Sequence, residues 1–146
     1  MGVYGVGNYY RIEGNINKEL YHEILKDELI GMMQAWHLTN NDFVFQHDND
    51  LKHMSDIVTD WLDEKGIDVL TWPLYSPNLN PIEHLWDEVN RHLQKLPGNI
   101  SSKMDLWNKI QKVWNEIDDD YVLKLIDTMS QRIKDVLKAK GGYTKW

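Results

Sequence analysis

Two carboxylates could do chemistry, because the segment before each one would hold it in place. That segment is a predicted strand for Asp48 and a proline-rich loop after the next predicted strand for Glu83. Asp48 comes directly after the apolar run FVFQH (43–47), and Glu83 opens a predicted helix behind the proline-rich loop PLYSPNLNP (73–81). A rigidly held, solvent-accessible carboxylate suits a hard cation such as Mg²⁺. Two such groups can flank metal ions that activate a water or hydroxyl and stabilise the leaving oxygen of a phosphodiester.

Each carboxylate also has a structural explanation that needs no metal. The triplet DND (48–50) after a strand is typical of a turn, since Asx side chains bond the backbone just ahead of them. The stretch NPIE (80–83) fits a helix start, with asparagine as N-cap, proline first and glutamate third. On these residues alone both interpretations stay open. A calcium loop starting at Asp48 is excluded, because His53 and Thr59 occupy the positions that need glycine and glutamate.

The elements that must position these carboxylates follow from hydrophobic periodicity. Predicted strands are 3–12, 43–46 and 67–72. Helical spacing is found at 17–36, at 54–62 with Gly66 as its stop, from Pro81 onward, at 106–117 and at 122–136. Strands that alternate with helices predict crossover connections and a largely parallel central sheet. We therefore expect one α/β domain over residues 1–146.

Composition narrows the class of protein. The chain has 146 residues, no cysteine and no apolar run of the roughly 20 residues that span a bilayer. We therefore expect an intracellular protein without a membrane segment, whose metal sites use oxygen or imidazole ligands. The net charge of −7 argues against a chain whose main task is gripping nucleic acid. Residues 124–146 carry six basic and two acidic side chains, either a solvated amphipathic helix or a weak nucleic-acid face.

Histidines and tryptophans allow further hypotheses. A zinc site from His47, His53 and His84 competes with ordinary polar packing, which their spacing favours. Four tryptophans on helical apolar faces are predicted to be core: Trp61, Trp86, Trp107 and Trp114. The last predicted helix turns six residues inward: Val122, Leu125, Ile126, Met129, Ile133 and Val136.

Several motifs in one order resemble the C-terminal part of the catalytic (DDE-type) domain of Tc/mariner-type DNA transposases. They are QHDNDLKH (46–53), VLTWPLYSPNLNPIEHLW (69–86) and KAKGGYTKW (138–146). In that family the second catalytic aspartate lies in Q-x-D-N-D-x-x-H and the third carboxylate in S-P-D-L-N-P-I-E-x-x-W, commonly 34 residues apart. Here 34 residues lie between Asp48 and Glu83.

The resemblance implies a ribonuclease-H-like α/β fold, with a mixed sheet flanked by helices and a helical C-terminal extension. It implies two-metal DNA cleavage and strand transfer with Mg²⁺ or Mn²⁺. Asp48 and Glu83 would be the second and third catalytic carboxylates and the metal ligands. Asn49, Asp50 and His53 would shape the loop. DNA, in the form of transposon ends, would be the partner, and the nucleus the place of action.

The family's first catalytic aspartate has no match in this sequence. No acidic residue precedes Tyr4, and Glu13 and Glu19 fall in segments that match other parts of the family pattern. Smaller departures are Leu51 for proline and Asn78 for aspartate. We therefore expect a fold without its first strand or strands, a chain inactive alone, and a homodimer formed through the unpaired edge. The alternatives are a non-catalytic oligomerisation or protein-interaction module derived from a transposase, and a nuclease completed by a partner's carboxylate.

Overall fold

The computed structural model describes residues 1–73 and 76–146. They divide into two compact units, Asn8–Ser76 and a second made of Met1–Gly7 with Pro77–Trp146. Among the described residues, no helix is both long and apolar enough to span a membrane.

In the unit Asn8–Ser76, the helix predicted at 17–36 is confirmed but is not uniform. It consists of α1 (Lys18–Ile24), a π-helical turn (Leu25–Leu29) and α2 (Ile30–Ala35). Asn17 caps its start, because the side-chain oxygen accepts the Leu20 N–H at 2.8 Å.

Helix α3 (Asp56–Glu64) completes the core of this unit. It follows the predicted segment closely and ends before Gly66, whose φ of +64° suits a residue without a side chain. The core joins α3 to the π-helical turn and α2 and buries seven apolar side chains: Leu25, Leu29, Met33, Val58, Trp61, Leu62 and Ile67.

The predicted sheet is not confirmed. Within residues 1–73 and 76–146 the pairing consists of two isolated bridges and no strand. One bridge is parallel, as predicted: the Phe45 N–H donates to the Asp68 carbonyl at 2.7 Å, and the Leu70 N–H donates to the Phe45 carbonyl at 2.8 Å. The predicted strand at 3–12 shows only an antiparallel Gly2–Gly5 bridge, because the positive φ of Gly5 turns the chain back.

The second unit consists of four helices and one short 3-10 turn (Pro77–Leu79). The helices are α4 (Ile82–Lys95), α5 (Lys103–Asn115), α6 (Asp119–Asp127) and α7 (Met129–Lys138). Six apolar side chains form its buried interior: Leu85, Val89, Val113, Trp114, Val122 and Leu125.

Three expectations about this unit are wrong. The helix predicted at 122–136 breaks in two at Thr128, whose hydroxyl donates to the Leu125 carbonyl at 2.6 Å. The break changes which side of α7 is covered, so that Ile133 is exposed and Arg132 is buried. Trp86 is 46% exposed, because α4 buries Leu85 and leaves the neighbouring ring to lie against Trp114 at 5.1 Å between centroids.

The assigned core predicts that two leucines of the unit Asn8–Ser76 contribute differently to the free energy of unfolding. Leu62 is 1% exposed and Leu51 is 89% exposed. We expect Leu62→Ala to lower the free energy of unfolding by about 2–5 kcal/mol, since the cavity adds to the lost burial. Leu51→Ala, the matched control, should change it by less than about 0.5 kcal/mol. Urea denaturation measures both, and equal losses would contradict the assigned core.

Candidate functional site

Asp48 is exposed and is held by hydrogen bonds within its own loop. Its Oδ1 atom lies 2.6 Å from His53 Nδ1 and accepts the Asp50 N–H at 3.1 Å. The second bond is the Asx turn that the triplet DND favours. The Asp50 carboxylate is also engaged, because it accepts the Lys52 N–H and pairs with the Lys52 ammonium at 2.6 Å. Asp50 therefore shapes the loop, and within residues 1–73 and 76–146 no hydrogen bond or ion pair engages the Asp48 Oδ2 atom.

Aromatic rings lie behind the Asp48 loop. The rings of Tyr21 and His53 are 4.0 Å apart between centroids, and those of His47 and His53 are 5.5 Å apart and nearly parallel. The Tyr21 hydroxyl lies 3.3 Å from His47 Nδ1. The stack limits the movement of the His53 ring. Because His53 is bonded to Asp48, the position of the Asp48 carboxylate is limited as well. Sequence reasoning missed this cluster, since Tyr21 carried only the signal of an apolar helix face.

Packing within this cluster shifts the pKa of two of its side chains, Tyr21 and His47. Burial, and secondarily the negative charge of Asp48, raises the pKa of the Tyr21 phenol. Burial lowers the pKa of His47, and the nearby His53 adds to this, while Asp48 opposes it. Both shifts favour the uncharged form of the side chain, as expected for rings that pack under an exposed carboxylate.

Asn49 connects the Asp48 loop to the segment that follows the parallel bridge. Its side-chain amide donates to the Trp72 carbonyl at 2.8 Å. This bond ties the residue next to Asp48 to the backbone at Trp72. Asn49 therefore has the loop-shaping role that the motif implied.

Glu83 is exposed in the first turn of α4. The helix start is held by Asn80, whose side-chain oxygen accepts the Ile82 N–H at 3.3 Å and whose carbonyl accepts the Glu83 N–H at 3.4 Å. Pro81 between them is buried, with a helical φ of −68°. In the part of the chain that the structure describes, no hydrogen bond or ion pair engages the Glu83 carboxylate. Asn80 therefore holds the turn ahead of α4, but the predicted cap is wrong in detail, because the helix begins at Ile82 with Pro81 at the N-cap position and Glu83 returns no bond.

The two predicted carboxylates lie in different units: Asp48 belongs to Asn8–Ser76 and Glu83 belongs to the other unit. Among the described residues, no group of three or more histidines, aspartates and glutamates is placed to hold a metal ion. The zinc hypothesis gains no support from the individual histidines. His53 is bonded to Asp48, His47 to Tyr21, and His84 accepts from Arg132 at 3.1 Å.

The raised pKa of Tyr21 predicts an alkaline loss of stability. Above about pH 10 the unfolded chain loses this proton while the folded chain keeps it, so the free energy of unfolding falls as pH rises. The loss should not exceed about 1.4 kcal/mol per pH unit for one group. We expect Tyr21→Phe to reduce this slope in urea denaturation between pH 9 and 11. Tyr143→Phe, at a fully exposed ring, should keep it. An unchanged slope in Tyr21→Phe would contradict the assignment.

Comparison with known families gives a match over most of the chain. The sequence model of the family described as DDE superfamily endonuclease matches residues 8–106, a range that contains both Asp48 and Glu83.

Individual relatives agree with this match. The chain is 37% identical over 139 residues to the Tcb2 transposase of Caenorhabditis briggsae, covering 93% of this chain and 48% of the relative. It is 38% identical over 144 residues to the Tc1 transposase of Caenorhabditis elegans, covering 97% of this chain and 50% of the relative. The chain thus spans about half the length of these relatives.

Solved structures show the same fold at lower sequence identity. The Mos1 transposase catalytic domain, solved with raltegravir and Mg, superposes with a TM-score of 0.84 at 21% identity, over 99% of this chain and 74% of that one. A Mos1 paired-end complex with the left transposon end also gives 0.84 at 21% identity, over 97% and 42%. The fold is therefore that of the Mos1 catalytic domain, which is ribonuclease-H-like. By family match, relatives and fold together, this chain belongs to the DDE superfamily endonucleases, as a domain of the Tc/mariner transposase type.

Proposed function

We propose that this chain carries the second and third catalytic carboxylates of a Tc/mariner transposase, Asp48 and Glu83. The reaction is divalent-metal-dependent cleavage and strand transfer of DNA. The observation that carries the proposal is the family match over residues 8–106, which includes both carboxylates within their motifs. The mixed sheet of a ribonuclease-H-like domain is part of the same proposal.

The donor chemistry fits Mg²⁺ or Mn²⁺. Asp48 and Glu83 offer hard oxygen atoms, both side chains are exposed, and Asp48 keeps Oδ2 open while Oδ1 is engaged. Mos1 catalytic domains have been solved with Mg and with Mn. When bound, such ions supply charge stabilisation for the phosphodiester oxygens and lower the pKa of a bound water or hydroxyl.

The residues around each carboxylate restrict its position. His53 and the Asp50 amide hold Asp48, and the start of α4 holds Glu83. Phosphoryl transfer depends almost entirely on positioning and charge stabilisation, so these supports contribute to catalysis without touching substrate.

Transposon ends are the proposed DNA substrate, and the nucleus is the proposed place of action. Mos1 has been solved as paired-end complexes and as a strand transfer complex. The net charge of −7 limits the phosphate contacts that this chain alone provides. We therefore propose that end recognition needs more than these 146 residues.

We further propose that these 146 residues alone cleave DNA very slowly. Neither Glu13 nor Glu19 matches the family's first carboxylate, since both lie in other parts of the pattern. A shared two-metal site that lacks one ligand binds metal weakly and misplaces the attacking oxygen. Because little in this chemistry compensates for lost positioning, the rate should stay near background.

Nicking of supercoiled plasmid with Mn²⁺ tests the activity, and Mn²⁺ titration followed by electron paramagnetic resonance tests the ligands. We expect nicking near background and measurable Mn²⁺ binding. Asp48→Ala and Glu83→Gln should each weaken binding about tenfold or more, since each removes a ligand. Asp60→Ala, at another exposed aspartate, is the matched control.

The outcomes separate the parts of this proposal. Strong nicking that Asp48→Ala abolishes would contradict the low activity and leave the site assignment intact. Mn²⁺ binding that neither Asp48→Ala nor Glu83→Gln weakens would contradict the assignment itself.

A homodimer is proposed on a separate observation. Val44, Val69 and Leu70 are 56%, 40% and 44% exposed beside the parallel Phe45–Val69 bridge. Backbone beside an isolated bridge, flanked by exposed apolar side chains, can pair with a second chain in the way that an unpaired strand edge does. The same surface would serve the second candidate function, a non-catalytic interaction module. Mn²⁺ binding favours the transposase and its absence favours the module.

If the chain forms a dimer, light scattering after size exclusion should give a mass that rises with concentration to twice the 17.3 kDa of one chain. Val44→Lys should shift the chain to monomer, because a lysine on an open edge disfavours strand pairing. Ile100→Lys, at an apolar residue 54% exposed in the other unit, should leave the mass unchanged. A monomer at every concentration would overturn the dimer.

A further inference from the structure

Arg132 is the one fully buried charged side chain among residues 1–73 and 76–146, with an exposed fraction of 0%. In the same ranges no aspartate or glutamate forms an ion pair with it. Burial lowers the pKa of its guanidinium, although arginine stays protonated in proteins. An unpaired buried charge is unfavourable unless hydrogen bonds satisfy it. The contacts of Arg132 therefore define its role.

The guanidinium donates to three neutral acceptors. Nε bonds the Thr128 hydroxyl at 2.8 Å, Nη1 bonds the Asn78 carbonyl at 3.2 Å, and Nη2 bonds His84 Nδ1 at 3.1 Å. The Trp146 ring covers the guanidinium carbon at 4.7 Å from its centroid. Because a guanidinium only donates, His84 Nδ1 must accept, and the ring proton of the neutral imidazole lies on Nε2.

The acceptors come from three places in one unit. Thr128 directly precedes α7, Asn78 lies in the 3-10 turn, and His84 lies in the first turn of α4 beside Glu83. Arg132 thus ties the proline-rich loop and the start of α4 to a single planar group. The planar guanidinium holds its three acceptors in one fixed geometry, whereas the three donors of a lysine ammonium rotate on a flexible stem.

Packing alone does not explain this choice of residue. Replacing a buried ionic group by apolar side chains of similar volume is often neutral or stabilising, so stability does not require an arginine here. A direct contact with DNA phosphates is also excluded, since the guanidinium is covered. The remaining role is geometric, and the group whose geometry it sets is the exposed carboxylate one residue before His84.

We propose that Arg132 is a positioning residue for Glu83, acting through the Asn78 carbonyl and the His84 ring, with Trp146 as its cover. This inference rests on the proposed function, since Glu83 needs a fixed position only if it binds metal. It adds a residue outside the two carboxylate motifs to the machinery of the site.

Amide hydrogen exchange by nuclear magnetic resonance on the full chain tests the positioning directly. We expect Arg132→Met to accelerate exchange of the Ile82, Glu83 and Leu85 amides about tenfold or more, because local opening of this turn becomes easier. Amides in the buried stretches of α5 and α6 should keep their rates. Arg91→Met, at an exposed arginine of α4 that pairs with Glu88, is the matched control and should change neither set. Uniform acceleration, or none at the α4 start, would overturn the proposal.

Two further measurements keep the test decisive. If Arg132→Met does not fold, Trp146→Ala, which removes the covering ring together with its Nε1 hydrogen bond to Asp135, should accelerate the same amides, and its failure to do so overturns the proposal. In folded Arg132→Met, Mn²⁺ should no longer broaden the Glu83 signal at concentrations that still broaden the Asp48 signal; retained broadening at Glu83 overturns the positioning role. Absence of broadening in the unaltered chain would count against the proposed function, and the exchange data alone would then decide the role of Arg132.

Discussion

An exposed carboxylate that binds metal must be immobile, and close packing cannot immobilise it without covering it. The two proposed ligands, Asp48 and Glu83, are both exposed and are subject to this constraint. Hydrogen bonds and backbone geometry take the place of packing. Asp48 is held by an imidazole and an amide, and Glu83 by a proline-stiffened helix start. Both devices leave carboxylate oxygens open.

The residues that support each carboxylate are themselves held in place by side chains that pack behind them. Behind His53 lie the rings of Tyr21 and His47, whose shifted pKa values favour their neutral forms. Behind the start of α4 lies Arg132, a cation satisfied by neutral acceptors and a tryptophan ring. At Asp48 the supporting rings of Tyr21 and His47 favour the neutral form, whereas at Glu83 the support is a buried cation whose hydrogen bonds all go to neutral acceptors.

The sequence predicts what depends on short-range pattern and fails where distant residues meet. The helix at 17–36, α3 with its glycine stop and the turn at Asn80 follow from spacing and turn chemistry. The Tyr21 cluster joins residues 26 or more positions apart, which no periodicity contains. Arg132 was counted with the basic C-terminal residues, because a single sequence does not show that this side chain is buried against Thr128, Asn78 and His84.

The π-helical turn at Leu25–Leu29 affects how the chain tolerates changes in length. A π turn accommodates one more residue than the α-helical turn it replaces, while the helices on either side stay aligned. Loss of one residue from this turn would restore regular α-helix and leave Tyr21 and Met33 on their present faces. This stretch of the first helix can therefore absorb an insertion or deletion close to the Asp48 support, where a loop would otherwise be expected to take it.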